Sequence, residues 1–134
     1  METYQIELSN DLSQLDTATK FVTHLLEKNL HNPEKEKNID DIELVISEAC
    51  TNAFKYSDKT KNETIKLEIN LNQTSIEVKL QSPGENKYIE SIQNPSIAHN
   101  ESGGNGNFIM KALTDEIQGQ NIDQSFILTF KKKF

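Results

Sequence analysis

The stretch "SEACTNAFKYS", residues 47–57, sets a carboxylate and a carboxamide four residues apart, at Glu48 and Asn52. In a helix that spacing puts both side chains on one face. They fall beside an apolar stripe of Ile42, Val45, Ile46, Ala49, Cys50, Ala53 and Phe54, so they stand at the rim of a core. A partly desolvated carboxylate there can accept a proton from an attacking hydroxyl. An amide oxygen there can hold magnesium, which sheds water reluctantly and takes few protein ligands alongside phosphates. Lys55, three residues past Asn52, could reach the same region. The same spacing also describes an ordinary polar helix face, so the pair alone does not define a site.

A second candidate is "ESGGNGNFIMKAL", residues 101–113, where Gly103, Gly104, Asn105, Gly106 and Asn107 precede a run of helix formers. Bare backbone lets N–H groups approach an anion, with the positive end of a helix behind them. A G-x-G before a helix serves equally as a turn and cap. Both candidates in one chain, in this order, are more specific than either.

The elements that must position them follow from periodicity. "TYQIELS" alternates as a half-buried strand. Leu12, Leu15, Ala18, Val22, Leu25 and Leu26 recur at helical spacing, with Ser9 or Asn10 as cap. After the polar connector "KNLHNPEKEKN", a second helix opens at Asn38 and ends near Ser57. Ile65-Leu67-Ile69-Leu71 and Ile76-Val78-Leu80 alternate on either side of "NQTS", which signals a hairpin. Residues 83–106 hold two of the three prolines and four of the five glycines, with room for a short helix at Tyr88–Ile92. So long a connection in a small domain is usually functional or disordered. Phe108, Ile109, Ala112, Leu113 and Ile117 suggest a third amphipathic helix, and "SFILTF" a closing strand. The order β-α-α-β-β-loop-α-β predicts an α/β (α+β) two-layer sandwich: helices on one face of a mostly antiparallel mixed sheet. The hairpin argues against a doubly wound core.

At 134 residues the chain fits one domain, 1–134. A net charge of −7 argues against a nucleic-acid backbone binder. The basic run "KKK" at 131–133 reads as a solvated strand end, charged to discourage edge pairing. No apolar run approaches membrane-spanning length. A single cysteine, Cys50, within an apolar pattern excludes an internal disulfide and reads as a small buried hydrophobe. With no signal-peptide pattern at the start, the expected compartment is cytoplasmic.

With these motifs in place, the chain resembles the GHKL (Bergerat-fold) ATPases, specifically the anti-sigma-factor serine-protein kinases of the RsbW type. "ELVISEACTNAFKYS" is similar to the family's N-box and "SGGNGNFIMKALTDEI" to its second glycine box with the helix after it, including the Asp115-Glu116 pair. The resemblance implies ATP and Mg2+ as cofactors, with Glu48 as general base and Asn52 as magnesium ligand. It also implies that residues 103–107 contact phosphates within an ATP lid spanning about 83–106. The implied partners are a sigma factor and a STAS-type anti-sigma-factor antagonist, with a homodimer also suggested by the family. One box departs. Where the family has D-x-G-x-G, with the aspartate accepting from the adenine amino group, this chain has "QSPGEN". Ser82 stands at the aspartate position, Gly84 is kept and Asn86 replaces the second glycine. Exchanging a charge-assisted bond for a neutral one would weaken adenine binding by on the order of 1–2 kcal/mol. "NIDQSFIL" also lacks the Gly-Thr often found before the last strand. Three readings follow: an ATP-dependent serine kinase, a binding module of the same fold acting by competition, and a domain detached from a histidine kinase. The last lacks a phosphoacceptor helix in these residues.

Overall fold

The computed structural model describes residues 2–86 and 104–134, the side chains of 104 and 105 excepted. The expected helix at Tyr88–Ile92, Gly103 and most of the expected lid at about 83–106 lie outside the described residues. The chain forms β1 (Glu2–Leu8), α1 (Leu15–Asn29), α2 (Lys35–Tyr56), β2 (Ile65–Leu71), β3 (Ser75–Pro83), α3 (Gly104–Leu113), β4 (Glu116–Ile122) and β5 (Ser125–Lys133). The sheet runs β1-β2-β3-β5-β4. Each pairing among the described residues is antiparallel, where the sequence had suggested a mixed sheet.

Period-two alternation sends Ile65, Leu67, Ile69 and Leu71 of β2 to one face, joined by Ile76, Val78 and Leu80 of β3 and Phe126, Leu128 and Phe130 of β5. That face packs against Ala18, Val22 and Leu26 of α1 and against the stripe of α2 anticipated above, which is buried in full. The hairpin between β2 and β3 is held by Asn72, whose Oδ1 accepts from the backbone N–H groups of Thr74 and Ser75, both at 2.9 Å. This side chain supplies the turn locally, which is why the signal was readable.

Four local expectations are corrected. Leu12 lies in a short 3-10 turn capped by Asp11 and is 58% exposed, so the apolar stripe of α1 starts later. α2 opens at Lys35, not Asn38, which is buried one turn inside. α3 stops at Leu113, and its inward residues are Gly106, Met110 and part-buried Leu113, while Phe108 and Ala112 face out. Burying Met110 completely contributes about 1.5–3 kcal/mol and anchors this short helix. Ile117 belongs to β4, a strand absent from the sequence reading, and Asp115 leads into it by donating its N–H to the Lys131 carbonyl at 2.9 Å.

β5 is therefore an interior strand, and its lysines do not guard an edge. Lys131 stands between Glu77 on β3 and Glu116 on β4, at 3.5 and 3.9 Å. Lys132 points inward, 14% exposed, and its Nζ donates to the Leu113 carbonyl at 2.9 Å with Asp41 of α2 at 3.8 Å. A cation at the last carbonyl of a helix is favourably placed against the helix dipole. No helix among the described residues is long and apolar enough to cross a membrane.

Candidate functional site

α2 presents Glu48 and Asn52 half-buried at the edge of its packed face, because the residues between and around them are committed to the core. α3 meets them there. Asn52 Nδ2 donates to Asn107 Oδ1 at 3.1 Å, linking two residues 55 positions apart in sequence. As assigned, this bond uses the nitrogen of Asn52; its Oδ1, the atom a cation would take, has no protein partner among the described residues. One residue earlier, Gly106 is buried against Glu48 so closely that a Cβ would sit 2.2 Å from Glu48 Oε2. A side chain at this position would require the Glu48 carboxylate to move. A carboxylate, a carboxamide oxygen and the first turn of a helix thus converge, which suits proton acceptance, a hard cation and an anion, respectively.

The end of β3 forms a second cluster. Ser82 shares the inner, helix-facing side with Val78 and Leu80 and is 4% exposed. Its hydroxyl makes no hydrogen bond among the described residues. The chain then turns at Gly84, whose φ of +87° favours glycine, and a Cβ there would lie 2.7 Å from Asp58 Cβ. Gly84 N–H donates to the Gln124 carbonyl at 2.7 Å, and Asp58 N–H to the Pro83 carbonyl at 2.9 Å. Asn86 is 6% exposed, and its backbone N–H and carbonyl bond the Asn121 side chain at 2.9 and 3.1 Å.

The structure brings together Glu48, Asn52, Gly106 and Asn107, and gathers Ser82 with Gly84 at the end of β3. Gly104 begins α3, and Asn105 follows it. Lys55 stands apart: it is exposed, with Nζ 5.2 Å from the Tyr56 ring centroid, and lines a groove with Asn10, Asp11 and Leu12. Cys50 is buried, and burial pushes its thiol up to about 12, which removes it as a nucleophile at neutral pH. No group of three His, Cys, Asp or Glu among the described residues could hold a metal by itself. Asn121, Gln124 and Asp58 were not anticipated, because their roles depend on strand register and carry no local signal.

A family model for the histidine kinase-like ATPase domain matches residues 8–132. No curated protein matches the chain in sequence. Among solved structures, the RsbU and RsbW domains of Rv1364c from Mycobacterium tuberculosis superpose with a TM-score of 0.70 at 15% identity, over 98% of this chain and 32% of that one. This chain thus spans about a third of that longer one. A chain of the SiaB–SiaC complex from Pseudomonas aeruginosa gives 0.61 at 12% identity, over 98% and 89%. The nucleotide-free catalytic domain of the histidine kinase ThkA gives 0.51 at 16% identity, over 99% and 97%. At these identities the likeness is one of fold.

Proposed function

Because this chain belongs to the histidine kinase-like ATPase domain family, we propose that it binds ATP with magnesium and phosphorylates a serine of a STAS-type anti-sigma-factor antagonist, alternately sequestering a sigma factor. The observation that carries the reading is the meeting of α2 and α3, where Gly106 abuts Glu48 and Asn52 holds Asn107. The residues fit the ligand: Gly106 brings the first turn of α3 against the Glu48 carboxylate, and Asn52 Oδ1 is the hard oxygen donor magnesium prefers. When bound, ATP with magnesium supplies the transferable phosphoryl group. Glu48 accepts the proton of the incoming serine hydroxyl. Asn52 holds the cation, and the first turn of α3, from Gly104 through Gly106 to Asn107, faces negative charge with its N–H groups. Ser82 and Gly84 hold the base. Lys55 serves this site only by swinging off the Tyr56 ring.

The fold neighbours lend support, since one is an RsbW domain solved with an RsbU domain and another comes from a two-protein complex. Ser82 favours a second reading. A serine where the family carries an adenine-binding carboxylate suits a module of this fold that competes for protein partners with little nucleotide. Two variants separate the readings. Asn52→Ala should make ATP binding less dependent on magnesium, and Glu48→Ala should abolish phosphotransfer while ATP still binds. If both variants behave as wild type, the kinase assignment is wrong.

A further inference from the structure

The β4–β5 hairpin reaches back to the end of β3. In the ladder, Ser82 pairs with Phe126 of β5, and Phe126 with Asn121 of β4. Residues directly opposite one another share a face, so Ser82, Phe126 and Asn121 form one row on the helix-facing side. The chain leaving Gly84 crosses this row, and Asn121 catches it. Its Oδ1 accepts from the Asn86 N–H, and its Nδ2 donates to the Asn86 carbonyl. The carboxamide thus satisfies both backbone groups of a residue that is almost wholly buried. A third bond, from Gly84 N–H to the Gln124 carbonyl, comes from the same hairpin. The hairpin stretch that lacks the family's Gly-Thr therefore supplies its own fastening to the strand end that bears Ser82.

We propose that Asn121 is a positioning residue for the nucleotide site. It fixes the backbone at Asn86 and so sets the course of the chain past Ser82 and Gly84. This rests on the nucleotide-binding reading above. Asn121 is exposed on the outermost strand, so its removal leaves the core intact and its effect is local.

The test titrates ATP with magnesium into the full chain as wild type, Asn121→Ala and Asn121→Asp. Amide hydrogen exchange at Asn86 is followed without nucleotide. Loss of two neutral hydrogen bonds predicts that Asn121→Ala raises the ATP dissociation constant about tenfold and speeds exchange at Asn86, with the thermal midpoint lowered by no more than a few degrees and the protein fully folded at the assay temperature. Asn121→Asp keeps the acceptor for the Asn86 N–H and should fall between the two. An Asn121→Ala protein that binds ATP like wild type overturns the proposal, as does an affinity loss that merely tracks a loss of folded protein. A wild type that binds no ATP overturns the nucleotide reading and the proposal with it. Unaltered exchange at Asn86 in Asn121→Ala overturns the clasp alone.

Discussion

Gly106→Ala separates the packing of the site from its chemistry. The new Cβ would arise 2.2 Å from Glu48 Oε2, and ordinary contact begins near 3.4 Å, so the oxygen must retreat by about 1.2 Å. The clashing atom is the far end of a flexible, half-exposed side chain, which can swing outward without disturbing the core. Within a helix, alanine is favoured over glycine by about 0.5–1 kcal/mol. The two effects offset, and the unfolding free energy should stay within about 1 kcal/mol of wild type. A displacement of about 1 Å in a reacting group, by contrast, costs on the order of 100-fold in rate. Urea unfolding and phosphotransfer to an antagonist serine, measured side by side, check both halves. Full phosphotransfer in Gly106→Ala would refute the placement of Glu48 as base. A stability loss of about 3 kcal/mol or more would show that the Glu48–Gly106 contact supports the fold instead.

Two further predictions concern the scaffold. Cys50, with its thiol pushed up to about 12 by burial, should resist alkylation at pH 8 in the native state and react once urea unfolds the chain; prompt native labelling would contradict its packing. Lys132→Met strips the Leu113 carbonyl of its donor and Asp41 of a nearby cation, and should cost about 1–3 kcal/mol in urea unfolding; a change below about 0.5 kcal/mol would mean that Lys132 does not secure α3.

The legible parts of the sequence were those fixed by local spacing. The apolar stripe of α2 and the Glu48/Asn52 pair depend only on helical geometry, and the β2–β3 hairpin on alternation around Asn72. β4 escaped because "EIQGQNI" sends only Ile117 and Gly119 into burial. Edge strands need little apolar surface, and Ile117 alone was as compatible with the end of a helix. The opening turn of α2 escaped for a related reason, since "KEK" has no apolar residue and adds nothing to the stripe. The phase of α3 is hidden in the sequence because Phe108 is large and apolar yet faces out, while Gly106, with no side chain, faces in. The bond between the Asn107 and Asn52 side chains joins positions 55 apart, a partnership that only the tertiary fold supplies. The grip of Asn121 on Asn86 and of Lys132 on α3 likewise depends on strand register, which no short window encodes.

The central claim is that α2 and α3 meet to hold a nucleotide. Calorimetric titration of ATP into the wild-type protein, with and without magnesium, addresses it directly. Saturable binding at or below millimolar ATP, tightened by magnesium, is the predicted result. No heat of binding at millimolar ATP would contradict it.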